Sequence, residues 1–543
     1  MQPNTLYFGD NLQVLREHFA DESVDLVYLD PPFNSKRDYN YIYRDLAGAG
    51  DTAQEQAFSD TWTFAGAAAD FRAVTESGWP EGKLIDTLRE VFGNTSLVAY
   101  LSVMALRLRE LWRVLKPTGS LYLHCDSVTS HYLRLVLDCV FGPPSFKNEV
   151  TWQRTAAKGN VQRKYGAVAD TLLVYAKRAG AETWNQPYRA LNEAYVQEMY
   201  RYVEEGTGRR YRLDNITAPA SRASRGQIYE WHGQRPPSSR CWIYARERMD
   251  ALLAEGRIVF SRTGYPSFKR YLDENPGEKV PCIWTDIPPV MGREALGYPT
   301  QKPLALLERI IAASSNEGDL VLDPFCGCGT AVVAAQKLGR RWCGIDITSL
   351  SVTLMRQRLA DSFPEVFPTP GDVPVVGLPR DLAGARMLAG LDKYDFQFWV
   401  LTLVGAHPPG GLKRKGADRG VDGEILWRDG EGKLQRAVVS VKGGASVSDT
   451  MLKDLLATVE AEHAAVGLFL SLAEPTRPMR NRAAAASEYE MAGTTARYPK
   501  IQMLTIEELL AGKRPDLPKS SRLEAHKAAR REDGGGQGRL FEG

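Results

Sequence analysis

Several features that define particular classes of protein are missing from this sequence. The seven cysteines are an odd number, scattered from Cys125 to Cys343, and they form no disulfide framework, which is typical of a reducing cytoplasm. No apolar run approaches the roughly 18 residues that a membrane span needs. The chain opens MQPNTLYFGDN, with no basic stretch ahead of an apolar run, so we expect no secretory signal. We therefore expect a cytoplasmic protein without a membrane partner.

Two short stretches suggest a zinc site and a catalytic triad, but neither has the arrangement that such a site requires. Cys326 and Cys328 are separated by one residue, and no second cysteine pair is present to complete a zinc site. His124, Cys125 and Asp126 are consecutive in SLYLHCD, which predicts a strand. Because neighbouring strand residues point to opposite faces of a sheet, these three side chains cannot converge on one site. We interpret both stretches as structural.

The composition is that of an ordinary globular protein with an uneven distribution of charge. The 543 residues are 43% apolar and 25% charged, and a chain of this length accommodates about two to four domains. Residues 151–300 contain 23 Lys and Arg against 16 Asp and Glu, whereas the rest of the chain contains 45 against 50. A polyanion is therefore expected to bind the middle interval.

The apolar pattern divides the chain into alternating α/β segments and less regular ones. Residues 34–95 are polar, rich in glycine and alanine and poorly periodic, so we expect a long mobile excursion there. The predicted divisions are an α/β unit at 1–150, a basic interval at 151–299, a second α/β segment at 300–362, a proline-rich linker at 363–384, a separate unit at 385–512 and a disordered polar tail at 513–543.

The first segment with chemical character is Asp30-Pro31-Pro32-Phe33, which ends the apolar run VDLVYLD. Two prolines fix the backbone and remove two N–H donors, so the loop presents carbonyl groups in a rigid shape. The Asp30 carboxylate and a proline carbonyl can each accept a hydrogen from an exocyclic amine, and Phe33 can stack on a planar base. The alternative is a structural Pro-Pro turn at the end of a strand.

The second segment is Asp323-Pro324-Phe325-Cys326-Gly327-Cys328-Gly329-Thr330, between the predicted strand LVLD and the predicted helix TAVVAAQ. Glycines permit close backbone approach, and a helix N-terminus favours an anionic group. Asp346 follows the next predicted strand, about 20 residues on, where an acid can accept hydrogen bonds from ribose hydroxyls. The segment lacks the full GxGxxG spacing of a dinucleotide site, so a purely structural turn is the alternative.

As an ordered pair, the two segments resemble the amino-methyltransferases of DNA that use S-adenosylmethionine, in their permuted beta class. In that class a DPP(Y/F/W) motif comes first, a target-recognition region follows, and a glycine-rich cofactor motif comes last. The resemblance covers residues 1–362. It implies a Rossmann-like α/β methyltransferase sheet, an inserted target-recognition region at 151–299, and S-adenosylmethionine as the cofactor.

The resemblance also implies roles for the residues that match the family's motifs. The implied catalytic positions are Asp30, Pro31, Pro32 and Phe33. The implied cofactor-binding positions are Asp10, Thr300, Lys302, Pro303, Asp323, Pro324, Phe325, Gly327, Gly329, Thr330 and Asp346. Among these, Asp10 would contact the adenine of the cofactor and Asp346 its ribose. Thr300, Lys302 and Pro303 would contact its methionine portion.

The implied reaction is direct transfer of a methyl group from a sulfonium to the exocyclic amine of a base that has left the duplex. No metal is expected to take part. An aspartate rather than a serine begins the catalytic motif, which in this family favours N6 of adenine over N4 of cytosine. Methylation of cytosine N4 stays open as the alternative.

Basic side chains of the middle interval are predicted to contact double-stranded DNA, mostly at phosphates and in a few cases at base edges. The candidates are Arg209, Arg210, Arg212, Arg222, Arg225, Arg240 and Arg246. The base sequence that they recognise does not follow from this interval.

The unit at 385–512 resembles the metal-dependent restriction-nuclease core of the Mrr-like type. The matching positions are Asp422 and a later strand that ends at Ser440-Val441-Lys442, which would surround a divalent ion such as Mg²⁺ bound by Asp422. Ser440 stands where that family has a carboxylate or amide, and Gln397 stands where it often has glutamate. Both departures remove ligand charge. The resemblance therefore implies an α/β nuclease-like domain that is either active or a DNA-binding remnant.

We predict a site-specific, adenine-specific DNA methyltransferase of a restriction-modification or defence system, with a C-terminal nuclease-like domain. The alternatives are a cytosine-N4 methyltransferase, a bifunctional methyltransferase and Mg²⁺-dependent nuclease, and a non-catalytic DNA-binding module. A second copy of the chain and cognate restriction or defence proteins are further partners compatible with this prediction.

Overall fold

The structure, a computed structural model, describes residues 2–32, 38–42, 54–59, 62–156, 163, 165–222, 227–296, 298, 300–407 and 421–518, with the backbone alone at 38–42, 54–59, 222 and 293. These residues form two compact units. Gln186–Pro281 form one, which we call the middle unit, and the described residues on either side of it form the main unit. Among the described residues, no helix is both long enough and apolar enough to cross a bilayer.

The first part of the main unit contains seven strands and five helices. They are β1 (Thr5–Phe8), α1 (Asn11–His18), β2 (Val24–Leu29), β3 (Asp38–Ile42), β4 (Gln54–Ser59), α2 (Ala68–Thr75), α3 (Pro80–Phe92), α4 (Ser96–Val114), β5 (Leu115–Cys125), α5 (Ser130–Phe141), β6 (Phe146–Gln153) and β7 (Ala169–Ala176).

The prediction of a mobile excursion at 34–95 is wrong for residues 68–92, which form α2 and α3. The α3 helix places a charged residue in the core, which an apolar pattern does not indicate. Glu81 is fully buried, and both of its carboxylate oxygens accept hydrogen bonds of 2.7 Å from Arg109 of α4. Residues 43–53 and the DPPF residue Phe33 lie outside the described residues.

The middle unit is small and mostly antiparallel. Its elements are β8 (Tyr188–Arg189), α6 (Glu193–Met199), β9 (Tyr202–Val203), β10 (Arg210–Asn215), β11 (Thr217–Pro219), β12 (Arg240–Trp242), α7 (Arg246–Ala254), β13 (Ile258–Phe260), β14 (Pro266–Tyr271) and β15 (Glu278–Lys279). A four-stranded sheet in the order β13-β14-β10-β9 lies beside a core that includes Trp231 and Trp242. This unit is narrower than the predicted interval 151–299, because residues 151–185 supply β7 and the end of β6 to the main sheet.

The chain then completes the main sheet. The elements are β16 (Ile283–Trp284), α8 (Leu304–Ser314), β17 (Leu320–Asp323), α9 (Thr330–Lys337), β18 (Arg341–Asp346), α10 (Ser349–Ser362) and β19 (Val375–Val376). The nine strands have the order β16-β6-β7-β5-β2-β17-β18-β1-β19, and only β7 runs antiparallel to its neighbours. The prediction of an extended linker at 363–384 is therefore partly wrong, because Val375 and Val376 pair with β1 as an edge strand.

The remaining elements form what we call the C-terminal domain, residues 382–518. They are α11 (Leu382–Leu391), α12 (Lys393–Val404), β20 (Gly423–Arg428), β21 (Leu434–Lys442), α13 (Asp449–Ala461), β22 (Val466–Ser471), α14 (Arg477–Ala484), β23 (Glu488–Glu490), β24 (Arg497–Pro499), β25 (Ile501–Thr505) and α15 (Ile506–Leu510). The main strands have the order β20-β21-β22-β25.

The C-terminal domain packs against the methyltransferase-like sheet within the main unit. Phe8 at the end of β1 and Leu378 pack against the core formed by α12 and β20–β22. The tail predicted as disordered is ordered at its start, since Leu517 is buried and the Asp516 N–H donates to Gln502 over 2.8 Å. Residues 519–543 of that tail lie outside the described residues.

Candidate functional site

The two segments singled out in the sequence end neighbouring strands. β2 and β17 are parallel, with Leu26 opposite Val321 and Val27 opposite Leu322. Because parallel strands end at the same edge of a sheet, Asp30 after β2 and Asp323 at the end of β17 lie on one side. β18 and β1 are the next two strands and are also parallel, so Asp346 and Gly9 end at the same edge.

A cavity of about 500 Å³ opens at this edge, which is within the usual size of a small-molecule site. Most of the predicted catalytic and cofactor-binding residues line it. They are Asp10, Asp30, Pro31, Pro32, Thr300, Lys302, Asp323, Pro324, Phe325, Gly327, Thr330 and Asp346. Pro303 and Gly329 are not among its lining residues; both are buried at the N-terminal boundaries of α8 and α9. Phe33 lies outside the described residues.

The glycine turn needs glycine at two positions. Gly327 and Gly329 have φ angles of +52° and +77°, in the left-handed region that side chains disfavour. A Cβ atom at Gly329 would also lie 2.7 Å from Met355 Cγ, and one at Gly327 would lie 3.2 Å from the Tyr298 ring. Gly329 precedes α9, whose first residue, Thr330, faces the cavity. The turn therefore brings bare backbone and a helix N-terminus to the cavity wall.

Asp346 holds the glycine turn against the end of β18. Its Oδ2 accepts a hydrogen bond of 2.8 Å from Gly327 N–H, and its Oδ1 accepts bonds of 3.0 Å from the N–H and hydroxyl of Thr348. Burial raises the pKa of Asp346, although these donors oppose the effect. A carboxylate oxygen has two lone pairs, so Oδ1 is saturated by Thr348, whereas Oδ2 keeps capacity for a ligand hydroxyl.

Asp323 has a more structural environment than the sequence indicated. It is buried, and its Oδ1 accepts a hydrogen bond of 3.0 Å from Phe325 N–H inside the turn. Burial raises the pKa of Asp323 well above its ordinary value, and the neighbouring Asp30 and Asp346 add to this effect. Its side chain fixes the shape of the turn and contributes a polar surface to the cavity.

Asp30 forms an ion pair with Lys302, which the sequence alone did not predict. Lys302 Nζ donates to Asp30 Oδ2 and also lies 3.3 Å from the carbonyl oxygen of Thr300. Among the described residues, the other carboxylate oxygen, Asp30 Oδ1, is buried and has no hydrogen-bond partner. A buried acceptor without a donor is unfavourable, so this oxygen marks a position where a donor group of a ligand would be stabilised.

Thr300 has a strained backbone beside this pair. Its φ angle is +66°, which is rare for a β-branched residue and unfavourable by about 1–3 kcal/mol. This conformation directs its carbonyl oxygen to Lys302 Nζ. Strain of this kind persists when the surrounding structure enforces it, and it is common at binding sites.

Asp10 is connected to the glycine turn through two residues that the sequence analysis missed. Asp10 caps α1 by accepting from the N–H groups of Leu12 and Gln13, and it forms an ion pair with Arg107. Arg107 also donates to Asn11 Oδ1 over 2.6 Å, and the Asn11 amide donates to the Pro324 carbonyl over 2.8 Å. Arg107 stands out in the sequence as a charged residue within the apolar helix α4.

The interpretation of His124, Cys125 and Asp126 as structural agrees with their contacts. His124 is fully buried and bonds Tyr28 Oη at 3.1 Å and Asp170 at 3.2 Å, one strand away on each side. Asp126 instead accepts from backbone N–H groups at the start of α5. The His124 side chain thus supports Tyr28, which lines the cavity beside Asp30.

The predicted DNA-binding arginines of the middle unit mostly bond within that unit. Arg209 pairs with Asp273 and Glu274, Arg210 donates to the Tyr200 carbonyl, and Arg212 donates to Tyr195 Oη. Arg240 donates to Thr217, and Arg246 donates to the Glu230 carbonyl. The Arg222 side chain and all of Arg225 lie outside the described residues. Five of the seven candidates therefore have contacts that stabilise the middle unit itself.

The predicted nuclease residues lie together in the C-terminal domain. Asp422 precedes β20, and its Oδ2 accepts a hydrogen bond of 2.6 Å from Val441 N–H, between Ser440 and Lys442 on β21. Gln397 of α12 donates to the Asp422 carbonyl over 3.3 Å. Within the described part of the chain, no group of three or more His, Cys, Asp or Glu side chains is arranged to hold a metal ion.

Comparison with known proteins identifies relatives over about two thirds of the chain. One is the Type II methyltransferase M.EcaI of Enterobacter cloacae, 29% identical over 66% of this chain and 70% of its own length. Another is the DNA adenine methyltransferase YhdJ of Escherichia coli K12, 24% identical over 66% of this chain and 83% of its own length. Among solved structures, a DNA modification methylase of Thermus thermophilus, TTHA0409, complexed with S-adenosyl-L-methionine, is 18% identical over 68% of this chain and 97% of its own, with a TM-score of 0.29.

A family match covers most of the same region. The family N6_N4_Mtase, described as DNA methylase, matches residues 24–356, which include the Asp30 segment, the whole middle unit and the glycine turn. This match spans more than half of the chain, and the strand ends that it covers form the cavity described above. The chain belongs to the N6/N4 DNA methylase family and has its α/β methyltransferase fold.

Proposed function

We propose that this protein is an adenine-specific DNA methyltransferase that transfers a methyl group from S-adenosylmethionine to N6 of adenine in duplex DNA. The observation that carries this proposal is the position of Asp30 Oδ1. Among the residues that the structure describes, this oxygen is buried without a donor in the same cavity as the glycine turn, so an amine held by Asp30 faces a cofactor held by the turn. Direct transfer between them needs no covalent intermediate with the protein.

The order of the parts supports the permuted beta class. The catalytic segment at Asp30 comes first, the middle unit at Gln186–Pro281 follows, and the glycine turn at Gly327–Gly329 comes last. We therefore propose that residues 1–185 and 282–376 form the methyltransferase sheet and that the middle unit is the target-recognition region. The family match, which spans all three, is consistent with this division.

The residues that line the cavity fit S-adenosylmethionine. The bare backbone of Gly327 allows close approach, Asp346 can accept from ribose hydroxyls, and Ile347 offers an apolar side chain that is 57% exposed. When bound there, S-adenosylmethionine supplies an electrophilic methyl group. The same cavity reaches Asp10, Thr300 and Lys302, as the binding of an extended cofactor requires.

The protein's own contribution is to position the target amine and to exclude water. Asp30 Oδ1 and the Pro31 carbonyl would each accept one amine hydrogen, which directs the nitrogen lone pair away from the base ring and toward the methyl group. Lys302 fixes the Asp30 carboxylate through its other oxygen. The base must leave the duplex to reach this position, at a cost of a few kcal/mol. Positioning of this kind supplies much of the rate enhancement.

The aspartate that begins the catalytic motif favours adenine, and the relative YhdJ is itself named a DNA adenine methyltransferase. The relatives M.EcaI and the StyLTI Mod subunit of Salmonella typhimurium are named as a Type II methyltransferase and a Type III restriction-modification enzyme subunit. We therefore propose a role in restriction-modification, with a cognate restriction protein as partner. A homodimer stays a prediction.

The nature of the methylated base provides the direct test. Unmethylated duplex DNA is incubated with the protein and S-adenosylmethionine, digested to nucleosides and examined by mass spectrometry. We expect N6-methyladenine at a fixed sequence context. N4-methylcytosine in its place would establish the cytosine alternative, and the absence of any methylated base with correctly folded protein would contradict the proposal.

A second candidate function concerns the C-terminal domain. The contact of Asp422 with the backbone between Ser440 and Lys442, and the contact of Gln397 with the same loop, support the nuclease-like resemblance. Ser440 and Gln397, however, replace a carboxylate or amide and a glutamate that would bind Mg²⁺ in that family. We propose a nuclease-like domain that binds DNA without cutting it.

This proposal predicts that the full-length protein leaves supercoiled plasmid intact in Mg²⁺ or Mn²⁺. The matched control is Lys442→Ala, which should behave like the wild type in this assay. Metal-dependent cleavage by the wild type that disappears in Lys442→Ala would contradict the proposal. It would establish the bifunctional alternative, in which Asp422 binds Mg²⁺ for cleavage.

A further inference from the structure

The cavity has a wall that the methyltransferase sheet does not supply. Asp392 and Asp395, at the start of α12 in the C-terminal domain, line the same cavity as Gly327 and Asp346. Both lie outside residues 24–356, where the family match ends. A cavity formed by the sheet alone would therefore be open on this side.

Asp395 is held next to the acid expected at the cofactor ribose. Its carboxylate lies 3.4 Å from both the N–H and the hydroxyl of Ser349, the first residue of α10. The preceding residue, Thr348, donates its N–H and hydroxyl to Asp346. Asp392 caps α12 by accepting from the N–H groups of Tyr394 and Asp395, which fixes the direction of this first turn. Thr348 and Ser349, which are adjacent in the chain, thus connect the carboxylates of Asp346 and Asp395.

Acidic side chains outnumber basic ones at the end of the cavity formed by the start of α12. Arg107 and Lys302 are the basic residues that line it, and they already pair with Asp10 and Asp30. Asp346, Asp392 and Asp395 have no cation among the described residues that line the cavity. Burial, with added repulsion from Asp392 and Asp346, raises the pKa of Asp395 to about 6. Ionised Asp395 is therefore unfavourable in the cofactor-free protein and would be stabilised by donor groups of a ligand.

We propose that Asp395 is a further cofactor-binding residue, which accepts a hydrogen bond from the adenosyl moiety of S-adenosylmethionine. The C-terminal domain then completes the cofactor site. This inference rests on the proposed function. The adenosyl moiety is favoured over the methionine portion because Asp395 contacts Ser349, three residues after Asp346, whereas Lys302 contacts Asp30 and the Thr300 carbonyl.

The variant Asp395→Asn in the full-length protein tests the inference. It keeps the size of the side chain and removes the charge. We expect the Kd for S-adenosylmethionine, measured by calorimetry, to rise about 10-fold, the effect of one hydrogen bond to a charged group. The Kd for S-adenosylhomocysteine should rise equally, because both ligands carry the adenosyl moiety. The thermal midpoint of the cofactor-free variant should also rise, since a buried charge is removed.

The matched control is Asp381→Asn, which removes the acid that directly precedes and caps α11, the first helix of the same domain, and that does not line the cavity. It should leave both Kd values unchanged. A wild-type Kd in Asp395→Asn would overturn the inference, and a loss confined to S-adenosylmethionine would overturn its assignment to the adenosyl moiety. If the proposed function itself were wrong, the wild type would not bind the cofactor, and this result differs from both of these outcomes.

A measurement on the wild type covers the case in which the variant fails to fold. Hydrogen exchange of backbone amides is compared with and without S-adenosylmethionine. Exchange of the amides in the first turns of α12, Lys393–Val404, should become slower when the cofactor is added. Exchange there that is unaffected by saturating cofactor would overturn the inference.

Discussion

Methyl transfer to DNA is expected to fall by about 100- to 1000-fold when Asp30 is replaced by asparagine, while cofactor affinity stays at the wild-type level. The substitution removes the charge that accepts from the target amine, and it leaves the glycine turn and Asp346 unchanged. Single-turnover rates with labelled S-adenosylmethionine measure the first effect, and calorimetry measures the second. The physical reason is that Asp30 Oδ1 is the buried acceptor without a donor among the described residues, in the cavity that the turn also lines.

The matched control for this prediction is Asp126→Asn. Asp126 follows β5, the strand next to β2, but it does not line the cavity, and an asparagine can still accept from the same backbone N–H groups. It should transfer methyl groups at the wild-type rate. If Asp30→Asn instead lost cofactor binding together with transfer, the division of roles between the two strand ends would be wrong.

The second large effect is expected at Asp346. Replacement by asparagine should raise the Kd for S-adenosylmethionine by about 10- to 100-fold, which corresponds to the loss of one or two hydrogen bonds to a charged group. The amide of asparagine can accept through only one atom, so either Gly327 N–H or Thr348 N–H loses its acceptor. At saturating cofactor, the rate of methyl transfer should recover most of its wild-type value, because Asp346 does not contact the target amine.

Asp319→Asn is the control for Asp346→Asn, because Asp319 lies at the opposite end of the neighbouring strand β17. Its Kd for the cofactor should equal that of the wild type. A wild-type Kd in Asp346→Asn would exclude the cofactor from the end of β18. A transfer rate that stays low at saturating cofactor would instead assign Asp346 to the chemical step.

The sequence predicted those parts of the site whose residues are contiguous in the chain. The strand LVLD, the turn Cys326–Gly329 and the helix that begins at Thr330 are contiguous, so their geometry follows from glycine conformation and apolar pattern. That two such segments meet in one cavity followed from the parallel order of β2 and β17, which the resemblance to a methyltransferase sheet implied.

The parts that the sequence did not predict depend on contacts between distant residues. Arg107 and Asn11 connect Asp10 to Pro324, and neither residue belongs to a motif. Asn11 and Pro324, which are hydrogen-bonded, are 313 positions apart in the sequence. The pairing of Lys302 with Asp30 spans 272 positions. Asp395 was missed for a further reason. The C-terminal domain was predicted as a separate unit, and a residue of a separate domain is not expected to line a cavity of the sheet.

The middle unit shows that an excess of basic residues in a sequence does not identify which of them contact DNA. The interval with the excess of basic residues contains the middle unit, yet arginines such as Arg209 and Arg240 pair with acids, hydroxyls and carbonyl oxygens of the same unit. Sequence composition counts charges without showing which of them are paired. DNA binding by the middle unit stays a prediction, and binding measurements at several salt concentrations test it, since each lost phosphate contact lowers the salt dependence.

The account depends on the cofactor methyl group and Asp30 facing one shared space. A crystal structure with an S-adenosylmethionine analogue that carries an amine in place of the methyl sulfonium measures this directly. We expect the adenosyl moiety beside Asp346, and the analogue amine separated from Asp30 Oδ1 by no more than about 6 Å, twice the separation of roughly 3 Å at which atoms react or form hydrogen bonds. An analogue bound with its amine turned away from Asp30, or at the opposite edge of the sheet, would contradict the account.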